Sequence, residues 1–307
     1  MDAATIDSRS RKGRPAAFHA APCSLPFGKL SVRHLCLFSG GLVSWATAKR
    51  VVEKHGTDGV VLLFADTMME DEDLYRFIVE AAENVGVPLT RIADGRNPWE
   101  VMRDERIIGG GMTGADPCSK ILKRQLLDRW AKENCGPETV SYCGLDWTEE
   151  HRLVRMQKRM PERKWTAPMT EAPYLSKTEM MEWLKAEGIK APRLYKMGFP
   201  HNNCGGFCIK AGQAHFALLL RTMPERYAYH EGKEEEMRQM LGKDYAVLRE
   251  QTAGVKRPLT LRKLRERIES QGSFDAFDWG GCGCAIDATQ EENGPDQGRR
   301  ASESKQP

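Results

Sequence analysis

The apolar run His34-Leu35-Cys36-Leu37-Phe38 leads directly into Ser39-Gly40-Gly41, and a helical pattern begins at once behind it. Trp45, Ala48 and Val52 fall three and four residues apart, and Gly56 offers a C-cap. Strand, glycine loop and helix in that order constrain the chain more than any other stretch. Glycines let the backbone approach a ligand closely, and the N–H groups at the helix start point at an anion. The arrangement suits phosphate, with Ser39 and Ser44 as added hydroxyl donors. A tight strand-to-helix turn with no ligand is the plainer alternative. No Gly-Lys-Ser or Gly-Lys-Thr follows, so the stretch is not a Walker loop.

A second run, Gly59-Val60-Val61-Leu62-Leu63-Phe64-Ala65, is apolar almost throughout. It reads as a strand covered on both faces, as parallel sheets require. It ends at Asp66-Thr67, where open α/β sheets bind ligands. Asp66 is therefore placed to meet the ribose or base of a nucleotide, or else to serve as a helix N-terminal carboxylate. Helices are expected over 71–85 and 119–132, and strands over 87–92 and 139–143. Asn97-Pro98-Trp99-Glu100 and Ser176-Lys177-Thr178-Glu179 both read as helix starts with capping boxes. Further helices are expected over 211–221, 224–241 and 261–270. The expected fold is a doubly wound parallel α/β sheet with a helical C-terminal cap.

Bulk properties set limits. Of 307 residues, 40% are hydrophobic, and 46 basic residues stand against 43 acidic ones, for a net charge of +3. That balance gives no case for bulk nucleic-acid binding, although a local basic face stays open. No apolar run reaches membrane-spanning length, so a soluble, cytoplasmic protein without membrane partners is expected. Residues 1–30 read as a disordered arm without the apolar core of a secretory signal, and 288–307 as a polar tail. Between them, 31–212 reads as the α/β domain and 213–287 as the helical cap with its cysteine pair.

The S-G-G-x-x-S pattern of Ser39–Ser44 resembles the PP-loop of the adenine-nucleotide alpha-hydrolase (HUP) superfamily. Further segments resemble its phosphoadenosine phosphosulfate (PAPS) reductase branch. Asp66-Thr67-Met68-Met69-Glu70, with Tyr75 downstream, is similar to that branch's Asn-Thr-Gly-Leu-Glu…Tyr segment, with Asp66 for Asn and Met68 for Gly. Pro192-Arg193-Leu194-Tyr195-Lys196-Met197-Gly198-Phe199 is similar to its Asn-Pro-Leu-Tyr…Gly-Tyr signature. Gly144 and Arg152 fit the Gly and Arg of the segment after the fourth strand, where Asp146 stands in place of Arg. Asp146 is a candidate magnesium-side residue or a structural cap, and His151 a surface residue or one that supports the site residues from behind.

The resemblance implies adenine-nucleotide chemistry. ATP or PAPS would lie on Ser39, Gly40, Gly41 and Ser44, near Asp66 and Gly144, with Mg2+ screening the phosphates. Ser39, Ser44 and Arg152 would act in catalysis. One implied activity is cleavage of ATP to AMP and pyrophosphate, which adenylates a substrate for sulfur transfer. A thiol-dependent sulfonucleotide reductase is the alternative, but Gly281-Cys282-Gly283-Cys284-Ala285 lacks the Glu and His of the reductase motif. A non-catalytic nucleotide- or metal-sensing module is a third reading. The acceptor could be tRNA, DNA or a small metabolite.

Nine cysteines complete the inventory. Cys36 and Cys143 fall in strand-like runs and read as buried fillers. Cys204 and Cys208, spaced Cys-x3-Cys, and Cys282 and Cys284 form two glycine-flanked pairs suited to a [4Fe–4S] cluster or zinc. A redox dithiol and unrelated thiols are the other readings. Cys118 resembles the Cys-Cys region of adenylyl-sulfate reductases, but Pro117 precedes it, which argues against that cluster arrangement. The basic residues behind it, Lys120, Lys123 and Arg124, read either as a phosphate-facing set or as a solvated face.

Overall fold

The computed structural model describes residues 32–252 and 254–271. Strand β1 (Val32–Leu37) is followed by α1 (Leu42–His55), β2 (Val60–Asp66), α2 (Glu72–Val85), β3 (Leu89–Ala93) and α3 (Pro98–Asp104). A continuous helical stretch comes next: α4 (Pro117–Ser119), a π-helical segment (Lys120–Gln125) and α5 (Leu126–Asn134). Then follow β4 (Cys135–Tyr142), α6 (Glu150–Arg159), β5 (Lys164–Thr166), α7 (Lys177–Ala186) and α8 (Arg193–Lys196). The C-terminal region holds α9 (Gln213–Thr222), α10 (Pro224–Leu241), β6 (Leu248–Thr252), β7 (Val255–Leu259) and α11 (Leu261–Gln271).

The first five strands form one sheet in the order β3-β2-β1-β4-β5, and every neighbouring pair is parallel. Strand side chains alternate between its two faces. Cys36, Leu62 and Phe64 pack with α1 and α2, whereas Leu35, Leu63 and Ala65 pack with Leu127 and Ala131 of α5. Both faces are thus covered, which is why β2 could be apolar throughout. This is the doubly wound α/β fold expected from the sequence.

Some boundaries differ from expectation. The third strand starts two residues later, because Gly86 and Val87 close α2: Gly86 takes a left-handed φ of 78° and its N–H meets the carbonyls of Ala82 and Glu83. The fifth strand, only three residues long, was not expected at all. Nor was the antiparallel hairpin β6–β7 inside a region read as helical. Both capping boxes are present as read.

A second apolar core lies in the C-terminal region. Phe199, Phe207, Phe216, Leu219, Tyr227, Val247, Leu259 and Leu264 pack there with Trp99 and Met102 of α3. Glu234 of α10 fastens the parts together: its buried carboxylate accepts Val247 N–H at 2.8 Å and Leu261 N–H at 2.7 Å.

Candidate functional site

The strand order reverses at β1. Chain progression runs from β1 to β2 and β3 on one side, then jumps to β4 on the other. The loops leaving β1 and β4 therefore diverge at the sheet's carboxyl end, and the crevice between them is the place where such sheets bind ligands. A cavity of about 430 Å³ opens there. The loop at Ser39, Gly41 and Ser44 lines it from one side, and Gly144, Asp146 and Arg152 from the other.

The Ser39–Ser44 loop has the geometry of a tight strand-to-helix turn with its helix N-terminus facing the cavity. Gly40 takes a φ of 75°, and a side chain there would also meet Leu74 at 3.0 Å. Its carbonyl accepts from Asn202 Nδ2 at 3.0 Å. The first turn of α1 contains no acidic residue, so the positive end of the helix dipole is uncompensated. Ser39 Oγ donates to Ser44 Oγ at 3.3 Å, and Ser44 Oγ donates to the Gly41 carbonyl at 2.8 Å. Leu42 N–H donates to the Tyr195 hydroxyl at 3.2 Å. Two segments 153 residues apart in sequence, both singled out by resemblance, therefore meet at the start of one helix. Burial raises the Tyr195 pKa, so the hydroxyl stays protonated beside the loop.

Gly144 acts through its missing side chain. A Cβ there would lie 2.8 Å from Ser44 Cα and 2.9 Å from Ser44 N. Glycine is what lets the loop after β4 press against the start of α1. Asp146 lines the cavity and caps the short 3-10 turn Trp147–Glu149, accepting Thr148 N–H at 2.9 Å. The cap reading of Asp146 is thus met. Arg152 lines the cavity and pairs with Glu149. Leu37, Leu63, Ala65, Leu127 and Leu145 supply an apolar wall.

Asp66 sits elsewhere than expected. It is fully buried and is not among the cavity's lining residues. Its carboxylate accepts from the Arg91 guanidinium, from the Tyr75 hydroxyl at 2.8 Å and from Met68 N–H at 2.8 Å. Those donors occupy the carboxylate, and β2 turns it toward β3 rather than into the crevice. Beside it, Met68 adopts a φ of 57°. This is the left-handed backbone that a glycine takes without strain, and the resembling family segment has glycine there.

Lys123 was one of three basic residues that the sequence could not rank. It is buried in the π-helical segment, lines the cavity, and lies 3.7 Å from the wholly buried Glu70. Burial raises the Glu70 pKa, with Lys123 opposing. Glu70 also accepts from Thr67 Oγ1 at 2.9 Å and from the backbone N–H of Cys204. Arg124 instead pairs with Asp116 at 2.8 Å, and Lys120 is exposed.

Cys204 and Cys208 are buried and share a small second pocket of about 20 Å³ with Cys118 and Lys123. In the sequence Cys118 stands apart from the pair; only the fold brings the three to one place. Cys282 and Cys284 lie outside the described residues. Among the described residues, no group of three or more His, Cys, Asp or Glu is arranged to hold a metal ion. Cys36 and Cys143 behave as fillers: burial pushes each thiol up to about 12, far from the reactive thiolate form.

No family model matches the chain, and no curated protein does. Two of the solved structures that match it follow. One is the PAPS reductase from Candida auris in its phosphate complex, at 12% identity and a TM-score of 0.37, covering 54% of this chain and 77% of that one. The other is the NH3-dependent NAD synthetase from Campylobacter jejuni in complex with nitrate, at 13% identity and a TM-score of 0.35, covering 70% and 89%. No helix among the described residues is long and apolar enough to cross a membrane.

Proposed function

We propose that the crevice binds ATP as its magnesium complex and that the chain cleaves it to AMP and pyrophosphate, adenylating an acceptor for sulfur transfer. One observation carries this reading. A cavity of about 430 Å³ at the reversal of strand order joins an anion-suited wall, the Ser39–Ser44 loop with Arg152, to an apolar wall. Its size falls within the usual range for small-molecule sites, roughly 300–1,000 Å³. The phosphates fit the loop and the α1 terminus, and the base fits the wall of Leu63, Ala65 and Leu127.

In the proposed step an acceptor oxygen attacks the α-phosphorus. The bond from that phosphorus to the bridging oxygen breaks, and pyrophosphate leaves on the loop. A sulfur nucleophile then displaces AMP. Backbone N–H groups of the loop, the Ser39 and Ser44 hydroxyls, Arg152 and Lys123 stabilise the charge that develops on the phosphates. Gly40 and Gly144 shape the loop.

The cysteine pairs Cys204–Cys208 and Cys282–Cys284 belong in this reading to a [4Fe–4S] cluster, with zinc as the alternative. The described thiols alone do not make a coordination set, so no chemical step is assigned to that group. Iron, zinc and labile sulfide content of anaerobically purified protein tests it. Cys204→Ser and Cys284→Ser should each lower metal content, and metal-free wild-type protein would remove the assignment.

Incubation with ATP, magnesium and candidate acceptors should yield AMP and pyrophosphate. PAPS with a thiol yielding sulfite would instead establish the reductase alternative. Gly41→Val gives a clean binding test. Gly41 has an ordinary φ of −99°, and an added Cβ meets nothing closer than Tyr195 Oη at 3.5 Å. The variant should fold and yet lose ATP binding by calorimetry; wild-type affinity in it would sink the loop assignment.

A further inference from the structure

Two large aromatic rings stand exposed beside the cavity. Trp147 and Tyr174 are 49% and 61% exposed, with ring centroids 6.2 Å apart. Trp147 lies between Asp146 and Thr148, and Tyr174 three residues before Lys177; those three residues line the cavity, which puts the paired rings beside its mouth. Neither ring helps fill a core. Each is nevertheless held by structure behind it. Asp146 caps the turn that carries Trp147. Arg50 of α1 grips the loop that carries Tyr174, donating to the carbonyls of Pro168 at 2.7 Å, Glu171 at 3.1 Å and Pro173.

From Trp147 a basic stripe runs along α6. His151, Arg155 and Lys158 follow at spacings of four, four and three, which places them on one side of the helix. All three are exposed. Within the described residues, the side chain of neither Arg155 nor Lys158 forms an ion pair or a hydrogen bond. Glu150 is exposed on the same helix, and Glu149 is held by Arg152. Basic side chains dominate the rest of α6, although the whole chain is nearly neutral.

We infer that this surface binds single-stranded nucleic acid and that the acceptor of the proposed reaction is one of its bases. The inference rests on the ATP reading for the cavity itself. Bases stack on aromatic faces while a basic track follows the phosphates, and such platforms need an unstacked strand. Here the stacking rings lie at the cavity mouth and the track leads away from it. A stacked strand can therefore present the neighbouring base to the site. A duplex keeps its bases paired and out of reach of the two rings.

The test is fluorescence anisotropy with labelled RNA and DNA single strands of about 10 nucleotides, matching the usual site sizes, and a duplex of equal length. Saturable binding of one or both single strands, tighter than duplex, is expected, and RNA against DNA identifies the source. Trp147→Ala should weaken it by about 5- to 150-fold, the loss typical of one stacked base. Arg155→Ala with Lys158→Ala should lower the slope of log affinity against log salt by about 1.4, at roughly 0.7 per phosphate contact on a single strand. Circular dichroism confirms folding of these surface variants. No saturable binding, tighter binding of duplex, or binding indifferent to both sets of substitutions would overturn the inference. Calorimetry with ATP on the same samples separates the two claims. Retained ATP binding without oligonucleotide binding removes the nucleic-acid acceptor alone, whereas absent ATP binding removes the reading of the cavity.

Discussion

Buried ionisable groups are placed differently in the sheet and in the C-terminal region. Around the sheet, Asp66, Glu70 and Asp71 gather at the carboxyl end of β2, and Leu35, Leu62, Phe64 and Phe77 fill the layers themselves. In the C-terminal region, His215, His230 and Glu234 sit within the core. His230 Nδ1 accepts from Trp99 Nε1 at 2.9 Å, and its ring stacks on Phe207 at 3.8 Å. His215 Nε2 lies 2.8 Å from the Gly206 carbonyl. Both rings are held neutral. The contrast teaches that the sheet depends on packing, whereas the C-terminal core depends also on protonation.

The largest expected effect breaks that core directly. Glu234→Ala leaves two buried N–H groups, of Val247 and Leu261, without their acceptor. At about 1–3 kcal/mol for each unsatisfied donor, the loss is about 2–6 kcal/mol. Hydrogen exchange should rise across 245–271 and stay unchanged in β1 and β2. Equal acceleration in both regions would erase the distinction.

Acid sharpens it. Burial lowers the His215 and His230 pKa values to about 4 and about 3 from 6.5. Their contribution is present above pH 6.5 and lost as pH falls through the folded values. Burial raises Glu234 from 4.5 to about 7, so its contribution is present below pH 4.5 and lost as pH rises through 7. Between pH 6.5 and 4.5 two histidines oppose one glutamate. The net loss is about 1.4 kcal/mol per pH unit on acidification, and it steepens below pH 4.5. Hydrogen exchange corrected for intrinsic rates should show α10 opening before β1; the reverse order would contradict this account.

Asp71 joins the two regions. It caps α2 and pairs with Arg193 at 2.8 Å and with Arg226 of α10 at 3.3 Å. Both arginines are partly exposed and can turn to water, so Asp71→Ala should cost only about 1–3 kcal/mol, below the usual figure for a wholly buried pair. Calorimetry should then resolve separate transitions for the sheet and the C-terminal region. A single transition would mean that apolar contacts suffice to couple them.

The smallest effect lies within the sheet region and has the opposite sign. Met68→Gly removes the side chain from a φ of 57° and should stabilise by about 1 kcal/mol, read as a rise in Tm. A fall would show that the exposed Met68 side chain makes contacts worth more than the backbone strain.

The sequence by itself determined the sheet and the loop. Parallel strands buried on both faces must be apolar throughout, so 59–65 was legible, and Gly40 and Gly41 were legible because a tight strand-to-helix turn needs them. It also marked Gly144 and Arg152, which do line the cavity, and Cys204 with Cys208. It could not place Asp66. An acidic residue at a strand end has the same signature whether it faces a ligand or Arg91, and the choice depends on side chains arriving from β3 and α2. It could not rank Lys123 above Lys120 or Arg124, since burial follows from the π-helical turn and from Glu70, 53 positions away. Tyr195 at the loop, Cys118 beside Cys204, and the paired rings of Trp147 and Tyr174 are all long-range meetings. Local pattern fixes which elements form; only packing among distant segments decides which side chains share a cavity.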